Sequence, residues 1–207
     1  MLGWFRAPAT ETQITHGQRL WLYVISVIIM VLLVTPSLIV IPMSFSDSQY
    51  LEFPPEVWST RWYKNYFGSS EWMLATRTSF IAAFCTMILA TPVGVLAAYG
   101  LHCSKIRFVR AAFVLMITPM MVPSVLVAIG AFYAYVKLKI LYTMTGVVLA
   151  HTVLALPLVV IVTGSALKSY DMTQEDAARS LGAPRWKAFL TVTLPQIRFA
   201  VVTSGLL

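Results

Sequence analysis

The sequence predicts an all-α fold, a polytopic integral membrane helical bundle, and three observations predict it. The first is composition: 58% of residues are hydrophobic and 11% charged, with a mean hydropathy of +0.78, whereas a soluble domain carries about 25% charge. The second is the clumping of that charge. Leu20–Pro42, Thr78–Ser104, Ala111–Val136 and Ile140–Leu167 contain no Asp, Glu, Lys or Arg over 23, 27, 26 and 28 residues. A helix rises 1.5 Å per residue, so about 20 residues cross a hydrocarbon core of about 30 Å. The third is period. None of the four runs alternates every second residue, and each is about twice as long as a barrel strand. Lipid cannot satisfy backbone groups, which leaves the helix as the spanning structure.

The elements follow in order. Run one predicts a retained anchor at about 20–42. It is too long for the apolar core of a signal peptide, and "IPMSFSDSQ" after it lacks a small-residue cleavage pattern. Residues 43–77 form a long loop rich in Trp, Tyr, Phe and Pro, suited to a membrane–water boundary or to contact with a partner. Pro54-Pro55 excludes a helix there, and "STRWYKNYF" predicts a short interfacial helix. Spans two to four are expected at about 78–104, 111–136 and 146–167. A fifth, at 196–207, is incomplete: its apolar run starts at Phe199 and stops at Leu207, too short to cross.

Pro36, Pro92, Pro119, Pro123 and Pro157 fall inside the runs. Each removes a backbone donor and can kink its helix, and broken helices at mid-membrane can also mark a transport path. "TPMMVPS", with Pro119 and Pro123, is the densest case and the first choice for a flexible or cavity-lining point. His151, in run four, is either a neutral histidine bonded to a neighbouring carbonyl or a substrate or proton relay. Tyr133 and Tyr135 either pack or offer ring faces to an amine. Cys85 and Cys103 lie in or at the end of run two without metal-ligand spacing, and read as small buried apolar residues.

Lys and Arg set the orientation. Arg6 and Arg19, then Lys105, Arg107 and Arg110, then Lys168, Arg179, Arg185, Lys187 and Arg198 place ten cations on one side; Arg61, Lys64, Arg77, Lys137 and Lys139 place five on the other. The richer side is expected inside, which makes 1–19 a cytoplasmic tail and 168–198 a cytoplasmic segment. The net charge of +7 follows from this bias. With no basic stripe beside stacking aromatics, nucleic acid is not an expected partner; membrane lipid is. The absence of Asp, Glu, Lys and Arg deep in the spans speaks against an ion-coupled secondary carrier. The chain contains no G-x-x-x-x-G-K-[ST], G-x-S-x-G or H-E-x-x-H pattern and does not read as an enzyme.

The polar stretch "EDAARSLGAPRWKAFLTVTLP" at 175–195 stands out against this background. Thr173 or Asp171 can cap a helix whose first turn holds Glu175 and Asp176. Ala177 and Ala178 leave a smooth surface. Leu181 ends that helix, and Gly182 suits the left-handed position after it. Pro184 can start a second helix, and Leu194-Pro195 is expected to break the chain before the next span.

This stretch resembles the EAA loop in permease subunits of binding-protein-dependent ABC importers. Asp176-Ala177-Ala178, Gly182, Val192, Leu194 and Pro195 fall on that pattern at its spacing, with Asp in place of the first Glu. "IPMSFS" and "RWYKNYF" look like the polyamine-type subfamily, and the resemblance covers most of the chain from about Leu20. It implies a type I ABC importer permease fold, here as four full spans plus the start of a fifth. It implies a loop that acts as a coupling helix in a groove of a separate ATPase, with Asp176 paired to an arginine there and Glu175 able to share the contact. It also implies two ATPase subunits that bind ATP and Mg, a second permease subunit, and a binding protein delivering solute from outside; no cofactor is expected in this chain. The family has six spans, so a truncated, non-transporting product is the alternative, and a secondary carrier or channel a remoter one.

Overall fold

The computed structural model describes residues 15–207; Arg6 and the rest of the tail up to residue 14 lie outside the described residues. The chain divides into two compact units, residues 1–74 and 75–207.

In the first unit, helix α1 (Leu20–Met43) matches run one and buries none of its residues. Pro36 and Pro42 lie within it. The loop after it is folded, not slack. Asp47 N–H donates to the Val57 carbonyl at 3.0 Å, and Ser59 N–H to that of Phe45 at 2.6 Å. The Trp62 indole N–H donates to the Ser48 carbonyl at 3.2 Å. No helix forms around Pro54-Pro55, and the expected interfacial helix is α2 (Arg61–Gly68).

Helix α3 (Ser70–Cys103) carries the chain into the second unit. It starts eight residues before its charge-free run, because Glu71 in the first turn suits the positive helix end and Arg77 interrupts nothing in the backbone. Gly94, in its middle, faces α6 (Met144–Ser169): a Cβ there would lie 2.5 Å from Val159 Cγ1, so only glycine permits the approach. Val95, Ala98 and Tyr99 of α3 join Val159, Val160 and Leu167 of α6 in the buried core, with Phe189 and Ile197 from the C-terminal segment. Thr143 caps α6, its hydroxyl accepting from Gly146 N–H at 3.1 Å.

Run three departs from expectation. It is not one span but two helices, α4 (Val109–Met121) and α5 (Ser124–Leu138), bent by 100°. The cause is local. Val122, preceding Pro123, is forced to extended backbone (φ −81°, ψ 135°), and Pro123 has no N–H to continue the ladder. Pro92 and Pro157, each alone in its helix, leave α3 and α6 continuous. Three described helices are therefore long and apolar enough to cross a membrane, and five spans result only if each bent pair is counted as one. Cys85 is exposed on α3, not buried, and Cys103 is half-buried.

A polar helical segment as candidate functional site

Residues 170–206 fold as α7 (Thr173–Ser180), a glycine turn, α8 (Arg185–Ala188), a π-helical turn at Phe189–Thr193, α9 (Leu194–Gln196) and α10 (Arg198–Leu206). The Asp171 carboxylate accepts from Thr173 N–H at 3.0 Å at the head of α7. That decides between the two capping candidates. Hydrogen bonds from the Thr173 hydroxyl and amide hold the Asp171 carboxyl below its ordinary range. At the other end, Gly182 N–H donates to Arg179 O at 3.0 Å and Ala183 N–H to Ala178 O at 3.2 Å. This is a Schellman closure. Gly182 sits at φ +94°, a conformation that side chains with a Cβ resist.

The two adjacent carboxylates face opposite ways. Glu175 is 1% exposed. Its carboxylate accepts from the Tyr99 hydroxyl and from the Thr193 hydroxyl, each at 2.5 Å. Arg185 Nε donates to Tyr99 Oη at 3.3 Å, and the Tyr99 ring packs on Phe189 with centroids 4.3 Å apart. The Tyr99 contact, and then Cys103, push the Arg185 pKa upward, so the guanidinium stays charged. Glu175 thus joins α7 to the end of α3 and to the π-helical turn. The expectation that Glu175 shares an external contact is corrected: its side chain is spent inside the chain. Asp176 is exposed and meets only Arg179 among the ion pairs of the described residues, at 3.2 Å. An exposed pair of this kind contributes at most about 1 kcal/mol.

Around Asp176 the outer face is bare. Ala177 is exposed, Ala178 half-buried, and Leu181 is 89% and Trp186 67% exposed. Val192 and Leu194 are half-buried and Pro195 exposed. The expected break at Leu194-Pro195 falls instead at Ile197, where the axis turns by 75°. Pro195 stands in the first turn of α9, where its missing N–H costs nothing.

The candidate pathway residues are not gathered into one site. Pro119 lies in α4 and Pro123 at the break. Tyr133 is 66% exposed and edge-on to Phe132, and Tyr135 is half-buried. His151 lines a separate cavity of about 440 Å³ between α3, α6 and α10, with Thr86, Thr91 and Ser204. The hydroxyls of Thr86 and Thr91 are buried without a hydrogen-bond partner. Sequence reasoning missed Tyr99, Thr193 and Arg185. One signal pointed towards them: Met172, just before α7, and Glu175 and Ala178 within it recur every three residues and are its less exposed positions.

Residues 90–207 match the family described as "Binding-protein-dependent transport system inner membrane component". The putrescine transport system permease protein PotI of Escherichia coli is 31% identical over 198 residues, covering 90% of this chain and 69% of that protein. The spermidine/putrescine transport system permease protein PotC of Haemophilus influenzae is 29% identical over 173 residues, covering 83% and 66%. A crystal structure of a bacterial ABC transporter involved in alginate import shares the fold, with a TM-score of 0.67 at 18% identity over 93% of this chain and 70% of that one. The chain therefore belongs to the binding-protein-dependent inner membrane permeases and is a permease subunit of an ABC importer.

Proposed function

We propose that segment 168–198 is the surface through which this permease takes up the work of separate ATPase subunits, and that the solute is a polyamine or a related small amine. The observation that carries the first part is the exposure of Leu181 and Trp186 on the polar segment that holds Asp176, a segment this reading places outside the lipid. Apolar side chains this exposed on a non-lipid face mark a protein interface. On this reading α7 docks into an ATPase groove, Asp176 exchanges Arg179 for an arginine of the ATPase, and Glu175 passes the resulting push to α3 through Tyr99. ATP and Mg are bound by the partner, of which two copies serve two permease subunits. A binding protein supplies solute on the opposite side. The N-terminus, 102–110 and 168–198 lie inside, and 43–77 and 137–145 outside.

The amine reading rests on the PotI and PotC likeness. Two experiments test these parts. A cysteine at Ser180 should cross-link to the ATPase and stay closed to impermeant outside reagents in intact cells; labelling from outside refutes the docking and the orientation together. Putrescine and spermidine should stimulate ATP hydrolysis in the reconstituted assembly when its binding protein is present. Stimulation by an unrelated solute alone refutes the amine assignment and leaves the docking intact.

A further inference from the structure

Three cations converge on one cavity near the C-terminal end of α3, whose lining does not include Tyr99, Glu175 or Thr193. Arg107 comes from the loop after α3, Arg110 from the first turn of α4 and Lys168 from the last turn of α6. They line a cleft of about 460 Å³, with His102 at the same end. No carboxylate lines it. The ion pairs among the described residues are Arg61–Asp47 and Arg179–Asp176, so none of the three is neutralised by one. The remaining wall is apolar, with Leu101, Phe113 and Val160. A second groove of about 560 Å³, shallow and open, shares Arg107 and Arg110, then runs along the exposed face of α4 past Val114, Leu115 and Thr118. Two guanidinium groups therefore stand between two grooves with largely apolar walls.

We infer that this is a binding site for an anionic diacyl phospholipid, with the phosphate on Arg107, Arg110 and Lys168 and the acyl chains in the flanking grooves. Guanidinium forks match phosphate oxygens, and basic pockets between spanning helices suit anionic headgroups. A free phosphate would satisfy the cations but has no use for grooves on both sides. The inference requires only that the spans sit in a membrane; it depends on neither the solute nor the ATPase contact.

Native mass spectrometry of the purified protein tests it, with phosphatidylglycerol, phosphatidylcholine and inorganic phosphate as probes. Phosphatidylglycerol should be retained over phosphatidylcholine, and millimolar phosphate should not displace it. The triple variant Arg107→Gln, Arg110→Gln, Lys168→Gln should bind it at least about tenfold more weakly. Lys137→Gln with Lys139→Gln, which removes charge elsewhere, should not. Gly164 also lines the cleft, and a Cβ there meets nothing within 4 Å. Gly164→Leu keeps every cation, fills the space, and should lose the lipid while melting normally. Unchanged phosphatidylglycerol binding in a normally melting Gly164→Leu protein overturns the site. So does an equal loss in the Lys137/Lys139 control, which makes the effect one of net charge. Full displacement by phosphate, with no preference for phosphatidylglycerol, makes the ligand a free anion and overturns the lipid assignment.

Discussion

Helices α4 and α5 come from an apolar run and bury no residue at all. The segment 168–198 is the most polar long stretch of the second unit, yet Glu175, Ala188, Phe189, Thr193 and Ile197 within it are buried. Polarity and burial part company because a membrane protein has two solvents. An apolar side chain facing lipid has no reason to find a protein neighbour. A polar segment outside the lipid stays in place only if its own contacts fasten it. The exposed run shows where bilayer or other subunits lie, and the fastened polar segment shows where a defined shape is kept.

Removing the fastener should have the largest effect. Glu175→Ala strands the buried Thr193 hydroxyl and leaves the Tyr99 hydroxyl only its contact from Arg185, and an unmet buried group costs about 1–3 kcal/mol. We expect roughly 3 kcal/mol from the two lost contacts, read as a fall in melting temperature and as new trypsin cleavage at Arg179 or Arg185. A melting temperature within a degree of the parent protein would show that 168–198 is not held by this network. Next is Gly94→Ala. Its methyl would overlap Val159, and overpacking costs about 1–3 kcal/mol. Val159→Ala should restore part of the loss in the double variant; strict additivity would place the α3–α6 contact elsewhere.

Gly182→Val should cost about 1–2 kcal/mol from backbone strain alone, since nothing lies within 4 Å of the added Cβ. Gly182→Asn should be better tolerated, because asparagine visits the left-handed region more readily. Equal stability of the two variants would refute the strain argument. The smallest effect concerns Asp171. Its folded pKa is depressed, so the cap is fully present above the ordinary carboxylate pKa and is lost as pH falls through the lower folded value. Amide exchange at Thr173 should therefore show protection through mildly acidic pH that Asp171→Ala lacks.

Much of this architecture was legible in advance. Charge-free runs located α1, α3 and α6 because excluding charge is what lipid demands. The loop spacing and Gly182 were legible because a helix end has few backbone solutions. The inward turn of Glu175 was not read, because its partner Tyr99 lies 76 residues away and only the fold brings them together. Its recurrence with Met172 and Ala178 was available, but in an eight-residue helix that pattern marks a face without naming what covers it. The break at Val122-Pro123 was half visible. Two prolines four residues apart marked the place, but a proline does not by itself announce a break, since Pro92 and Pro157 leave their helices continuous.

The central claim is a division of labour between neighbouring carboxylates: Glu175 fastens the segment, and Asp176 meets the ATPase. Retention of the ATPase on the purified, full-length assembly, with melting of the permease followed in the same samples, tests it most directly. Asp176→Ala should release the ATPase and leave the permease melting temperature unchanged, because its Arg179 pair is exposed. Asp176→Glu should retain the ATPase. Glu175→Gln should lower the melting temperature first and loosen the ATPase only as a consequence. An Asp176→Ala permease that keeps its ATPase, beside a Glu175→Gln permease that loses it at unchanged melting temperature, would contradict the account and exchange the two roles.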